Sequence, residues 1–336
     1  MWQSRPASRA KTVAACVRQA LAGVCAALAS IASAPASAQA AYPSKVVKFV
    51  NTFPPGGPSD IIARTLADKL QTSLKQSFIV ENRPGAGGNV GTAAVVASPP
   101  DGYTILFGID TTFTINPTVY PSMPFKLGDL KPLMLFGSSG LMVGVYPGVG
   151  VKSLAELIAK GKQETLNFSS GGNGSPGHLA ASILAEKAGV KVNHIPYKGN
   201  TPAVTAVVAG EAQAGILATP GFLPHVQSGK VTALAVTSRQ RSVLAPDLPT
   251  VAEAGIPALE VEVLYIAMVR SETPDAAVVT LQKAMKDALA LPDVKERFAR
   301  LDLFLVGETG PGVAELLDRT RARYASTIKA VGMKAD

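Results

Sequence analysis

Cysteine and tryptophan are nearly absent, and their positions matter more than their number. Cys16, Cys25 and the single tryptophan, Trp2, all fall within the first 25 residues. A thiolate zinc site, an iron–sulfur cluster, a disulfide framework and a cysteine nucleophile are therefore excluded from the rest of the chain. Histidine is scarce too: His178, His194 and His225 are the only three, without the H-x-x-x-H spacing that would place two metal ligands on one helix face. No G-x-S-x-G nucleophile elbow occurs, so the serines beside His178 lack the frame of a hydrolase. No cluster of Lys and Arg interleaved with aromatics appears, which removes the electrostatic footprint of nucleic-acid binding. Beyond residue 40 no apolar run approaches the about 20 residues of a membrane span.

Acidic residues are also missing from the first forty positions, which carry Arg5, Arg9, Lys11 and Arg18. An apolar run follows at 20–32, then the small-residue stretch 34–40. That order is a secretory signal peptide over 1–40, with A-x-A cleavage after Ala38 or Ala40, and it implies export to the periplasm. As a membrane anchor the run is short, Ala-rich and interrupted by Ser30. As a lipoprotein signal it puts Val24, rather than a small residue, before Cys25. Without the leader the charge falls from +8 to 28 minus 24, or +4, so the basic balance belongs partly to the export signal.

The remaining 296 residues (336 minus 40) sit in a chain that is 47% hydrophobic and 17% charged, enough for one large core or two medium ones. Strand and helix patterns alternate. Strands are predicted at 46–52, 78–81, 103–108, 165–169, 192–196, 212–217, 233–237 and 303–306. Helices are predicted at 60–74, 91–97, 154–160, 177–188, 202–209, 222–228, 275–289 and 313–330. Such alternation is α/β, with parallel sheets flanked by helices. An irregular stretch at 120–146 and a segment at 259–269 interrupt it. The expected architecture is two parallel-type sheet domains joined by two crossing strands, with lobe 1 over 41–145 plus 265–336, lobe 2 over 146–264, and a cleft between them.

Ligands of open parallel sheets sit where strand ends meet helix N-termini. The loop from Phe53 through Pro54, Pro55, Gly56, Gly57, Pro58, Ser59 and Asp60 ends a strand and opens a helix with Pro in its first turn. Its glycines allow close approach, and its free N–H groups at the positive helix end suit a carboxylate; alternatively, Asp60 merely caps its own helix. The loop Ser169 to Gly177 repeats the pattern, and Gly172, Gly174 and Gly177 satisfy G-x-G-x-x-G. The acidic residue that a dinucleotide ribose needs about 20 positions later is missing, so no cofactor is assigned. Thr111 and Thr112 offer hydroxyls after the third strand, and Arg83 lies in another glycine-rich loop, as a ligand contact or a scaffold residue.

Taken together, Tyr42-Pro43-Ser44-Lys45, the loop 53–60, Glu81-Asn82-Arg83-Pro84-Gly85-Ala86-Gly87-Gly88-Asn89, Pro100-Asp101-Gly102-Tyr103-Thr104, His194-Ile195-Pro196-Tyr197-Lys198-Gly199 and Leu248-Pro249-Thr250-Val251-Ala252-Glu253-Ala254-Gly255 resemble the tripartite tricarboxylate transporter substrate-binding proteins, the Bug or TctC family. The resemblance implies a bilobed periplasmic-binding-protein (flytrap) fold that closes on a small carboxylic acid. It also implies an extracytoplasmic solute receptor. The leading reading is a non-enzymatic monomer that delivers its ligand to membrane permease subunits; the alternatives are an orphan receptor that signals to a sensor kinase and, third, an exported hydrolase. Carried over by position, it implies ligand contacts at Phe53, Gly57, Ser59, Asp60, Thr111 and Thr112 in lobe 1, and at Ser170, Gly172, Asn173, Gly174, Ser175 and Tyr197 in lobe 2. Leu217 stands where the family often carries an acid that could pair with a ligand's amine. A carboxylate without a cationic amine, with an apolar or aromatic portion, is the expected ligand.

Overall fold

The computed structural model describes residues 42–334; the expected export signal over 1–40, with its expected cleavage sites after Ala38 or Ala40, lies outside the described residues. In chain order the first elements are β1 (Val47–Asn51), α1 (Pro58–Leu74), β2 (Phe78–Asn82), α2 (Asn89–Val96), β3 (Thr104–Ile109), α3 (Thr111–Thr114) and α4 (Asn116–Val119). Next come β4 (Leu130–Ser139), β5 (Leu141–Val145), α5 (Leu154–Gln163), β6 (Leu166–Ser170), α6 (Pro176–Ala188), β7 (Val192–Pro196), α7 (Asn200–Val208), β8 (Ala214–Ala218), α8 (Thr219–Gln227) and β9 (Thr232–Val236). The chain finishes with β10 (Val263–Arg270), α9 (Asp275–Ala290), α10 (Pro292–Ala299), β11 (Phe304–Glu308) and α11 (Pro311–Ala330).

Two sheets result. The first has the order β11-β4-β10-β3-β1-β2 and the second β7-β6-β8-β5-β9. In the first, β1 lies between β2 and β3 and is parallel to both; in the second, β6 lies between β7 and β8 and is parallel to both. The chain therefore reverses its direction of travel across each sheet at the carboxyl end of β1 and of β6. Such a switch point leaves a crevice that neighbouring crossover helices do not fill. The two glycine-rich loops leave from these two strand ends.

The strands form because β-branched and aromatic side chains fill both faces, as in β1, where the adjacent Phe49 and Val50, which point to opposite faces, are both buried. The helices form from apolar stripes such as Ile62, Leu66 and Leu70 of α1, all fully buried. Crossing between the sheets differs from the sequence boundaries. Residues 141–145, assigned to lobe 1 from sequence, are β5 and pair with β8 and β9 in the second sheet. Val263 and Leu264, assigned to lobe 2, pair with β4 in the first. The first crossing therefore falls at Gly140, which packs against Ser238. The run Gly137-Ser138-Ser139-Gly140 separates two apolar stretches in the sequence, but a local pattern does not say that the chain changes sheet there. Thr237 joins the crossings: its Oγ1 accepts from Leu141 N–H (2.8 Å) and donates to the Val261 carbonyl (2.6 Å). A third link follows, in which Ser242 Oγ donates to Asp302 Oδ1 (2.7 Å) beside β11.

Candidate functional site

Between the sheets lies a cavity of about 430 Å³. Its walls come from Phe53 to Ser59, Ile109, Val263 and Tyr265 on one side, and from Leu141, Gly171, Ser175 to Gly177, Lys198 to Pro202 and Ile216 to Ala218 on the other. Four helices begin at this cavity. The N-caps of α1, α7 and α8 are Gly57, Gly199 and Ala218, and no side chain caps any of them. Ser175 caps α6 by accepting from His178 N–H (3.3 Å). Glycine or alanine at the N-cap leaves first-turn N–H groups unclaimed. Each helix N-terminus carries about half a positive charge, so the convergence favours an anion. Among the described residues, Lys198 is the one charged residue of the lining, and no Asp or Glu belongs to it.

Of the residues expected from sequence, Phe53, Gly57, Ser59 and Ser175 line this cavity. The others do not, and most are engaged elsewhere. Asp60 is buried, and its carboxylate accepts from Gly56 N–H (3.0 Å), Arg64 Nε (3.0 Å) and Asn82 Nδ2 (2.8 Å). Burial alone would raise its pKa, but those bonds outweigh burial and hold the carboxyl below the usual range. Asp60 braces the loop rather than facing the cavity. Thr112 Oγ1 donates to the Gly87 carbonyl (3.0 Å), and Thr111 is buried in the short α3. Ser170 Oγ shares a hydrogen bond with His194 Nε2 (2.6 Å) and accepts from Gly172 N–H (3.2 Å). Gly172 and Gly174 supply the positive φ values, 125° and 74°, that turn the loop. Asn173 lies between them, outside the lining. Tyr197 packs against the cluster of Met142, Val204 and Val207. Arg83 pairs with Glu81, away from the cavity.

His178 and His194 stack, with ring centroids 3.7 Å apart and planes within 6°. Gly174 N–H donates to His178 Nδ1 (3.3 Å), which requires that nitrogen unprotonated. Burial, and then the neighbouring His194, push His178 down to about 4. The two imidazoles thus fasten the loop 170–175. At the floor, burial raises the Tyr265 hydroxyl to about 12, leaving a neutral group 3.3 Å from Ser139 Oγ.

Asp110 was not singled out in sequence. It is buried, accepts from Leu264 N–H (3.0 Å) and Thr114 Oγ1 (2.9 Å), and ties the end of β3 to β10. Burial pushes its carboxyl up to about 6 from an ordinary 3.8, against those bonds. A raised carboxyl costs stability once the unfolded chain ionises it. The cost is absent below 3.8 and complete above about 6. Asp110→Asn keeps the Leu264 bond and turns an amide donor toward Thr114. Its melting temperature is therefore expected to exceed wild type at pH 7.5, with the gain shrinking to nothing near pH 4. A difference that does not change with pH would sink this assignment. His178 has the opposite sign: its contribution is present above 6.5 and is lost as pH falls toward 4.

The missed lining had a signal. Gly199-Asn200-Thr201-Pro202 and Ala218-Thr219-Pro220 repeat the small residue followed by Pro near a helix start. The model of the tripartite tricarboxylate transporter family receptor matches residues 62–333. The chain belongs to this receptor family. The receptor is 35% identical to protein BugT of Bordetella pertussis, over 93% of its own chain and 96% of that relative. Its fold is the bilobed one of periplasmic binding proteins. It matches Rpa4515 of R. palustris, solved with adipate, at a TM-score of 0.81 and 27% identity, covering 88% of this chain and 100% of that one. It matches MatC from Rhodopseudomonas palustris, with bound malate, at 0.77 and 26%, covering 85% and 100%.

Proposed function

We propose that this receptor works in the periplasm, closes its lobes on a small carboxylate that lacks a cationic amine, and delivers it to the membrane permease subunits of a tripartite tricarboxylate-type transporter. The observation that carries the reading is the convergence of helix N-termini from both lobes on one cavity whose lining, among the described residues, has no acidic side chain. Hydrogen bonds from those N–H groups to a carboxylate are roughly twice as strong as neutral ones once closure excludes water. An ammonium group would find no counter-charge there, because Leu217 and Ile216 are apolar. Contacts made by both lobes at once are what let a ligand select the closed form. The adipate and malate of the two relatives agree with a carboxylate.

A thermal-shift panel of purified receptor tests this. Aliphatic and aromatic acids are expected to raise the melting temperature, a ligand at about 100 times its Kd adding about 2.7 kcal/mol. Stabilisation by amino acids, with none from simple acids, would overturn the reading.

A further inference from the structure

Resting on the carboxylate reading, we infer that Lys198 makes this receptor distinguish a diacid from the matching monoacid. The cavity has two anion-attracting ends, the N-terminus of α1 in one lobe and those of α6 and α7 in the other. Between them the walls are apolar, with Ile109, Ile216, Leu217 and Val263 among them. Helix ends carry only partial charges, so a second full negative charge on the ligand needs a cation. Among the described residues, Lys198 is the only one in the lining, and it has no hydrogen bond or ion pair of its own.

The backbone that carries Lys198 is fixed. Gly199 N–H donates to the carbonyls of Tyr197 (2.9 Å) and Gly171 (3.2 Å), and the Tyr197 ring is packed into the second lobe. A free ammonium on an anchored base, exposed at the cavity rim, can reach a distal carboxylate without giving up an existing partner. A pair in that position is partly solvated, which sets its strength between that of an exposed ion pair and that of a buried charged hydrogen bond.

The test is calorimetric titration of wild type, Lys198→Gln and Lys198→Arg with matched acids: succinate beside butyrate, adipate beside hexanoate, and a benzenedicarboxylate beside benzoate. Wild type is expected to favour at least one diacid over its monoacid. Lys198→Gln should lower that diacid-to-monoacid ratio about fivefold and flatten the loss of diacid affinity with added salt, and Lys198→Arg should restore both. Equal losses for diacid and monoacid would mean that the residue only shapes its loop, and an unchanged ratio would mean that it takes no part; either overturns the inference while leaving carboxylate binding intact. Wild type that binds none of the acids overturns the carboxylate reading and the inference together.

Discussion

Gly57→Val is expected to weaken acid binding about ten- to a hundredfold while lowering the melting temperature of the free protein by no more than about 3 °C. Gly57 has φ −80° and ψ 169°, a conformation any residue adopts, so valine brings no backbone strain. A Cβ there would meet only the Pro54 carbonyl oxygen, at 3.8 Å, and otherwise open space. Because Gly57 lines the cavity, that space is where the proposed carboxylate would sit. An isopropyl group over the first turn of α1 keeps a carboxylate from the N–H groups of Ser59 and Asp60. The loss is that of one charge-assisted hydrogen bond, about 1.5–3 kcal/mol, which is the fold-change given. Calorimetric titration with the best acid of the panel, beside a thermal melt, checks both halves. Wild-type affinity would show that α1 does not contact the ligand. Gly174 is a poorer probe, since its φ of 74° already strains any side chain and its outward face points at Val119 and Asn116 of α4.

The same contrast explains how much of the site was legible in the sequence. Where function rests on backbone and helix ends, local pattern finds it: a strand, a glycine turn and a proline at the helix start mark both loops at the two switch points. Side-chain direction was not legible, because it depends on partners far along the chain. Asp60 turns toward Asn82, Thr112 toward Gly87 and Ser170 toward His194, contacts that no local window contains. Lys198 and Leu217 line the cavity only because β7 and β8 flank β6, an order set by topology rather than by composition.

The fold shows a similar division. Most predicted elements match within a few residues, since apolar periodicity and Gly or Pro punctuation set them. The change of sheet at Gly140 was not legible, because Gly137-Ser138-Ser139-Gly140 marks a break without saying which strands the next run pairs with. Helix α10 was missed because only Val294 and Phe298 of its side chains are buried, leaving two apolar positions four apart rather than a stripe.

Gly177→Val is expected to cost about 3 kcal/mol of stability or more, and so to lower the melting temperature by roughly 6–12 °C, with binding lost as a consequence. The three glycines of G-x-G-x-x-G have two different backbone tasks. Gly172 and Gly174 take positive φ, whereas Gly177 lies within the first turn of α6 and needs no unusual backbone. A Cβ at Gly177 would overlap the Ile216 carbonyl oxygen of β8, and that oxygen belongs to a sheet and cannot swing aside. The start of α6 would have to lift from the sheet, loosening Leu179, Ile183 and Leu184 and moving Ser175 and Pro176 out of the cavity wall. Urea unfolding of Gly177→Ala and Gly177→Val beside Gly57→Val separates the two uses of glycine. Stability should fall in the order Gly57→Val, Gly177→Ala, Gly177→Val, the last being lowest. Wild-type unfolding of Gly177→Val would show that close helix-to-strand packing is not what this glycine is for.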